Sequence, residues 1–176
     1  IEYAWVDKML QLAKGKKSAL CDLGKGIRAQ CWDDRLILRQ GRECPLAVRV
    51  PIPGTVRIPE KDGVISCRIT SAEAFEGLRS ELGGFHIALD ADKLEARPLL
   101  RSAAVGDRFR PFGMRGQKKL SDFLIDQKHP RILRDEVLVL ESAGEIAWVV
   151  GMRMSDAFRV EPSSRRIALI QFSITA

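Results

Sequence analysis

Alternation of apolar and polar side chains is the feature that most constrains the fold of this 176-residue chain. Residues 27–31 place Ile, Ala and Cys alternately with Arg and Gln, a period of two that is typical of half-buried β-strands. Asp33-Asp34 predicts a turn, and the Asp-Gly pair within Glu60–Gly63 predicts a hairpin between two further apolar runs. Short strands joined by tight turns therefore indicate a β-rich fold.

The same pattern continues to the end of the chain. Glu136–Glu141 and Ile146–Val150 predict a hairpin, and Phe158–Val160 and Ile167–Ile174 predict two more strands. Two arginines, Arg165-Arg166, precede the last run, and we expect them to be solubilising charges at a sheet edge.

The sequence carries helical signals in three places, and the third lies in the basic stretch described below. An apolar stripe in residues 3–13 predicts a packing helix. A capping box formed by Thr70 and Glu73 predicts a second helix from about Ser71 to Leu82. The sequence thus predicts an α+β fold with two or three packed helices. We expect a helix and linker from a preceding domain at 1–17, a β-rich module at 18–100, and a C-terminal module at 101–176 that packs with 18–100 as one unit.

The positive charge of the chain is concentrated in the stretch Gly106–Arg134. It holds three acidic residues and eight basic ones, so it contributes +5 of a formal net charge of +6. The basic residues are Arg108, Arg110, Arg115, Lys118, Lys119, Lys128, Arg131 and Arg134. A local surplus of this kind is typical of a surface that binds a polyanion, although a solvated basic face would have the same composition.

The basic stretch reads as a loop followed by a helix. Glycine and proline make Gly106–Gln117 a loop, and Leu120, Phe123 and Leu124 then repeat with the spacing of one helix face. Two lysines, Lys118-Lys119, would stand at the start of that helix, where the macrodipole disfavours cations and free N–H groups favour anions. We therefore predict that they bind phosphate.

Five short motifs in and beside the basic stretch are specific enough to compare with known families. They are Gly106-Asp107-Arg108-Phe109, Pro111-x-Gly113, Gly116-x-Lys118-Lys119-Leu120, Asp126-x-Lys128-x-Pro130 and Arg134-Asp135. With these motifs, residues 97–170 closely resemble the C-terminal domain of bacterial tRNA(Ile)-lysidine synthases. One departure is His129, because the family usually has an aliphatic residue there. Over residues 1–96 the similarity is diffuse.

This resemblance implies a three-layer domain containing a β-sandwich, also found in the β subunit of phenylalanyl-tRNA synthetase (the PheT/TilS domain). It implies a bacterial, cytoplasmic tRNA-modification enzyme, a ligase that uses ATP to attach lysine to the wobble cytidine of a tRNA(Ile) with a CAU anticodon. The part seen here would hold the acceptor-stem end of the tRNA. The family binds ATP through a Ser-Gly-Gly-x-Asp-Ser motif, which this chain lacks, so we expect no cofactor, no catalytic residue and no ligase activity in the chain alone.

The resemblance assigns tRNA contacts to the basic stretch. We expect Arg108, Arg110, Arg115, Lys118 and Lys119 to contact phosphates, with Lys128, Arg131 and Arg134 as a second group. Two phenylalanines in the loop, Phe109 and Phe112, could stack on a terminal base or anchor the loop to the core. The two alternatives to tRNA(Ile) binding are a general structured-RNA module and a protein-interaction domain with a basic face.

The remaining sequence features argue against other classes of protein. The four cysteines (Cys21, Cys31, Cys44 and Cys67) lack the spacing of a zinc site, so we expect structural thiols and no metal. Asp90 and Asp92 are expected to serve turns and caps. No apolar run is long enough to span a membrane, and a homodimer is left open.

Overall fold

The computed structural model describes residues 3–15, 19–41, 45–78, 80 and 82–174. The chain divides into two compact units. The small unit comprises Ile1–Cys44 and Leu124–Glu136, and the large unit comprises Pro45–Phe123 and Val137–Ala176. These boundaries differ from those expected at 17/18 and 100/101. The first sheet has its own apolar core, and residues Leu124–Glu136, which begin within the basic stretch, belong to the same unit.

The small unit packs one helix against one antiparallel sheet of order β1-β2-β3. Apolar residues of the helix, Trp5, Met9 and Leu12, lie against Leu23 and Ala29 of the sheet, so the stripe in residues 3–13 is confirmed as a packing face. The elements are α1 (Tyr3–Lys14), β1 (Leu20–Gly24), β2 (Ile27–Trp32) and β3 (Arg35–Gln40).

The turn between β2 and β3 confirms the prediction made from Asp33-Asp34. Both residues have positive φ, 46° and 61°, and aspartate tolerates this left-handed conformation better than most residues. The lysines that follow Gly15 and the cysteine at position 44 lie outside the described residues.

The large unit contains a five-stranded antiparallel sheet. The hairpin predicted from Glu136–Glu141 and Ile146–Val150 is confirmed, because the strands Leu138–Ser142 and Glu145–Val149 pair with each other. The turn between them contains Ala143 and Gly144, both at positive φ. In spatial order the strands are β13 (Arg153–Met154), β12 (Glu145–Val149), β11 (Leu138–Ser142), β8 (Leu99–Ser102) and β4 (Ala47–Arg49).

A four-stranded antiparallel sheet packs against it. The hairpin predicted at Asp62-Gly63 joins its first two strands, and Asp62 adopts φ 45°. In spatial order the strands are β5 (Gly54–Ile58), β6 (Gly63–Ser71), β14 (Arg166–Ile174) and β7 (His86–Asp90).

Apolar side chains from the two sheets form one core between them. Trp148, Leu140 and Leu100 of the five-stranded sheet lie in the same buried cluster as Ile65 and Ile170 of the four-stranded sheet. On the other face of the four-stranded sheet, the helix α2 (Ala72–Glu76) buries Phe75 against Ala88, Ile167 and Leu169. The large unit is therefore a β-sandwich with a helical layer, which confirms the α+β, strand-rich fold.

Three local predictions were wrong. The helix α2 is much shorter than Ser71–Leu82, and its cap is Ser71, whose hydroxyl accepts a hydrogen bond from the Ala74 N–H at 3.4 Å. Asp156–Phe158 is a 3-10 turn, so no strand forms at Phe158–Val160. The last strand, β14, is central in its sheet, and Arg166 at its start pairs with Asp92 rather than guarding an edge.

The acidic pair Asp90 and Asp92 serves structure, as predicted. The Asp90 carboxylate accepts hydrogen bonds from the Asp92 N–H at 3.0 Å and from the Ser164 hydroxyl at 2.7 Å. Among the residues that the structure describes, no group of three or more His, Cys, Asp or Glu side chains could hold a metal ion.

Cys67 is buried in the core between the sheets, and desolvation raises the pKa of its thiol to about 12. A thiol with such a high pKa is poorly reactive, because the thiolate is the reactive form. No helix in the described parts of the chain has the length and apolar character needed to cross a membrane.

Candidate nucleic-acid interface

The structure divides the basic stretch between the two units. Residues up to Phe123 belong to the large unit and those from Leu124 belong to the small unit. The division falls within the helix α3 (Leu120–Asp126). The large unit thus holds the first group of predicted contacts, which is Arg108, Arg110, Arg115, Lys118 and Lys119. The small unit holds the second group, which is Lys128, Arg131 and Arg134.

An ion-pair network fixes the start of the basic loop. The Asp107 carboxylate accepts two hydrogen bonds from the Arg101 guanidinium at 2.8 and 2.9 Å, and a third from the Ala104 N–H at 2.8 Å. Arg101 also donates to Glu141 at 2.7 Å. Because bidentate guanidinium–carboxylate pairs are both strong and directional, this network holds the loop in one position.

Protonation equilibria of this pair reflect the same contacts. Burial alone would raise the pKa of Asp107, but the hydrogen bonds from Arg101 and from the Ala104 N–H lower it below the usual value. The hydrogen bond to Asp107 in turn raises the pKa of Arg101, although burial opposes this. Both groups therefore stay charged at neutral pH.

The two lysines form a short strand that ends where the helix α3 begins, so Lys119 directly precedes the helix, as the sequence predicted. β9 (Arg108–Phe109) pairs with β10 (Lys118–Lys119) in a two-stranded antiparallel ribbon. The first N–H of α3, at Leu120, donates to the Asp107 carbonyl at 2.8 Å. The seven-residue helix α3 begins directly after the lysines, and phosphate binding by the lysines stays a prediction.

The ribbon separates the two lysines onto opposite faces. Lys119 lies directly opposite Arg108, and Lys118 lies opposite Phe109. Because side chains alternate along a strand, the exposed Lys119 shares a face with Arg108, while the half-buried Lys118 shares the face of the buried Phe109. Like charges directly opposite each other destabilise a strand pair, and a bound anion would relieve this repulsion.

The two phenylalanines of the loop have different roles. Phe109 is 3% exposed and packs edge-to-face on Phe123 with ring centroids 5.1 Å apart. Phe112 is 47% exposed. The anchoring interpretation is therefore confirmed for Phe109, whereas the structure leaves Phe112 accessible.

Backbone hydrogen bonds hold the tip of the basic loop. The Phe112 N–H donates to the Met154 carbonyl at 3.0 Å, and the Asp156 N–H donates to the Arg110 carbonyl at 2.8 Å. The Asp156 side chain also accepts from the Gly113 N–H at 3.3 Å. Gly113 has φ 83°, a conformation that glycine adopts without strain. The arginines that flank this tip are consequently carried on a fixed backbone.

Three of the predicted arginines line one cleft of about 360 Å³, which we call the arginine cleft. Phe109 lies among its lining residues, and Glu145 supplies a carboxylate. The arginines are Arg108, Arg110 and Arg115. Sequence reasoning grouped these residues only by proximity in the chain, and the structure brings their side chains to one concave surface.

The second group of cations has a different setting. Arg131 is exposed, and Lys128 is an exposed turn residue with φ 50°. Arg134 is half-buried, and its guanidinium donates to the His129 carbonyl at 3.4 Å. Arg134 thus contributes to the folding of its own segment.

Sequence reasoning missed the basic residues that hold this segment in the small unit. Arg39 pairs with Glu136 at 2.9 Å and donates to the Ile132 carbonyl at 2.7 Å, and Arg28 pairs with Asp135 at 3.1 Å. These partners lie about a hundred residues apart along the chain, so no local signal in the sequence could have identified them.

Comparison with known proteins agrees with this architecture. Residues 99–170 match the sequence pattern of the family described as the TilS substrate C-terminal domain. This match identifies a TilS C-terminal domain within that part of the chain. A solved structure described as the crystal structure of the TilS C-terminal domain superposes with a TM-score of 0.63 at 25% sequence identity, covering 76% of this chain and 99% of the other.

Two curated relatives are also similar to this chain in sequence. The tRNA(Ile)-lysidine synthase of Caldanaerobacter subterraneus subsp. tengcongensis is 31% identical over 98% of this chain and 37% of its own length. The tRNA(Ile)-lysidine synthase of Parabacteroides distasonis is 44% identical over 48% of this chain and 19% of its own length. The chain therefore spans about a third of the first relative, and the resemblance found from the basic stretch is confirmed.

Proposed function

We propose that this chain is the tRNA-binding C-terminal region of a bacterial, cytoplasmic tRNA(Ile)-lysidine synthase. The whole enzyme would use ATP to ligate lysine to the wobble cytidine of a tRNA(Ile) with a CAU anticodon. This region would hold the acceptor-stem end, and ATP would bind in a domain outside the chain. The proposal extends the names of the relatives to this protein, and the geometry of the basic loop supports it.

The observation that carries the proposal is that Arg108 and Lys119 lie opposite each other on two paired strands, beside the arginine cleft. Opposed cations on a two-residue ribbon are unfavourable alone and become favourable when a phosphate lies between them. The backbone that carries them is fixed by Asp107 and Asp156, so binding would order few additional groups. Low ordering cost favours affinity.

The face presented by this ribbon suits RNA better than an acidic protein. Double-stranded RNA exposes regularly spaced phosphates and 2′-hydroxyls across a wide minor groove, and it is recognised largely by shape and charge. Exposed cations together with the accessible Phe112 ring provide phosphate contacts and a surface for stacking on a base. We therefore favour RNA over the protein-interaction alternative, and tRNA(Ile) over a general RNA because of the family.

The test is the binding of the purified chain to tRNA(Ile) and to an unrelated tRNA, measured over a range of salt concentrations. Reversal of the ribbon pair (Arg108→Glu with Lys119→Glu) should weaken binding strongly and flatten the logarithmic salt slope by about 1.4–1.8 units, because two phosphate contacts are lost. A matched control is Arg57→Glu with Arg68→Glu, since both arginines are exposed on strands of the same unit.

Equal losses in the two double variants would mean that net charge alone governs binding, and the site would have to be abandoned. Equal affinity for both tRNAs would favour the general RNA-binding alternative. The purified chain should not incorporate lysine into tRNA with ATP. Incorporation would contradict the placement of ATP in a separate domain.

A further inference from the structure

The arginine cleft differs in shape from the ribbon beside it. The ribbon presents cations outward on two short strands, whereas the cleft encloses about 360 Å³ among Arg108, Arg110 and Arg115. That volume is near the lower end of the range for pockets that hold small ligands, about 300–1,000 Å³. A continuous duplex strand cannot enter a cavity of this size, but the end of a strand can.

Positive charge is in excess among the described residues that line the cleft. Three arginines line the cleft together with one acidic residue, Glu145. Arg110 also lies near Asp156, with 3.5 Å between its Nε and the carboxylate. This Nε is buried and makes no hydrogen bond. The other oxygen of the Asp156 carboxylate accepts from the Gly113 N–H and lies 3.6 Å from Arg159.

A lining with three arginines and one acidic residue offers more donors than acceptors, and since buried polar groups are normally paired, the cleft suits an additional acceptor. The acceptor should be anionic and should offer several oxygen atoms, because guanidinium groups donate in pairs to phosphate and carboxylate. A phosphate monoester carries about −1.5 to −2 charges at pH 7 and three acceptor oxygens, which is more than a backbone phosphodiester offers.

We propose that the arginine cleft binds the phosphate monoester at the 5′ end of the bound RNA. The inference rests on the proposed function, namely that this face binds tRNA. The ribbon then contacts the continuous backbone, and the cleft recognises the strand end that the backbone leads to. The protein would thereby distinguish an RNA with a processed, monophosphorylated 5′ end from one without it.

The experiment compares hairpin RNAs of one sequence that differ only in their ends, using the complete chain and fluorescence anisotropy. The RNA with a 5′-phosphate should bind about tenfold more tightly than the RNA with a 5′-hydroxyl. A tenfold ratio corresponds to about 1.4 kcal/mol, which is near the lower limit for hydrogen bonds to charged groups. A hairpin with a 3′-phosphate and a 5′-hydroxyl should gain nothing.

Substitutions then locate the effect. Arg115→Gln changes an exposed side chain and should lower the ratio of the two affinities towards one, while thermal melting followed by circular dichroism confirms that the fold is intact. The matched control is Arg153→Gln, an exposed arginine of the same unit outside the described lining of the cleft. This control should retain the full ratio.

Three outcomes would overturn the inference. Equal binding of the 5′-phosphate and 5′-hydroxyl RNAs would exclude the cleft as a 5′-phosphate site while leaving tRNA binding intact. An equal gain from the 3′-phosphate would show that only added charge matters. A ratio that survives Arg115→Gln and also Arg108→Gln would place the effect elsewhere. Failure to bind either RNA would instead remove the proposed function itself.

Discussion

The two halves of the basic stretch have similar compositions and different structures. In the large unit, acidic residues hold the backbone of the loop and leave the cations at the surface, as Asp107 does through Arg101 and Ala104. In the small unit, acidic residues pair with distant arginines, as Glu136 does with Arg39. The comparison shows that neighbouring basic residues can stay at the surface in one half of a stretch, whereas in the other half the acidic residues beside them mainly secure a segment.

Burial explains why the two halves differ. The segment of the small unit buries Ile132, whose N–H donates to the side chain of Gln30 at 2.9 Å. Gln30 is only 1% exposed, so this contact fixes residues 131–136 against β2. The loop of the large unit has a buried anchor at Phe109, but its tip remains exposed.

The largest expected effect tests the anchor in the large unit. Asp107→Asn removes the charge that pairs with Arg101 in a site where the two side chains are 11% and 18% exposed. The loss should be smaller than that of a broken isolated buried pair, about 3–5 kcal/mol, because Arg101 keeps its hydrogen bond to Glu141 at 2.7 Å. Urea unfolding of the variant measures this loss, and Asp122→Asn on the exposed surface of α3 is the matched control.

A cost similar to that of Asp122→Asn would show that the loop does not depend on its anchor. In the wild type the anchor should also be lost in acid. Because the pKa of Asp107 is lowered on folding, its contribution is complete above the unfolded value of about 3.9 and declines as the pH falls below it.

A second experiment, with an intermediate expected effect, compares the cations of the two halves. Lys128→Glu with Arg131→Glu reverses two exposed charges in the small unit, where neither opposes another cation across a described strand pair. We expect this pair to flatten the salt slope of tRNA binding less than reversal of Arg108 and Lys119, for which the loss is about 1.4–1.8 units. Anisotropy titrations at several salt concentrations provide the measurement.

Equal slopes for the two double variants would remove the distinction between the halves and assign phosphate contacts to both. A single variant refines the comparison within the ribbon. Lys118→Glu should weaken binding less than Lys119→Glu, because only Lys119 shares the exposed face of Arg108.

The smallest effect concerns pH and the small unit. Burial lowers the pKa of His129, although the hydrogen bond that its ring donates to the Leu133 backbone opposes this, and the ring Nε2 is buried without a hydrogen bond. The unfolded state therefore binds a proton first as the pH falls. Stability should be complete above the unfolded value of about 6.5 and should decline below it, by up to about 1.4 kcal/mol for each unit of pKa difference.

The measurement is urea unfolding between pH 7.5 and 5.5, with fluorescence of Trp32 reporting on the small unit and of Trp148 on the large unit in variants that retain only one tryptophan. His129→Leu, an aliphatic replacement, should remove the decline seen by Trp32. A decline of the same size at Trp148, or one that persists in His129→Leu, would contradict the assignment to this histidine.

The local features of the fold could be predicted because neighbours along the chain decide them. The alternation in β2, the Asp33-Asp34 turn and the Asp62-Gly63 hairpin all follow from backbone preferences and a period of two. The apolar spacing of Leu120, Phe123 and Leu124 likewise predicted one buried helix face.

The site was only partly predictable. Sequence reasoning named the arginines of the cleft and placed Lys118 and Lys119 at the start of α3, but it could not detect their pairing with a strand of only two residues. It also could not distinguish the anchored Phe109 from the exposed Phe112, since both belong to one short loop.

The sequence by itself determined where strands and turns form and where positive charge collects, because both are properties of adjacent residues. Only the tertiary structure decided which cations face solvent together and which support a fold. That decision depends on contacts such as Asp156 with Gly113 and Gln30 with Ile132, whose partners lie tens of residues apart. Their energies appear only when the chain has paid the entropy of closing the loops between them.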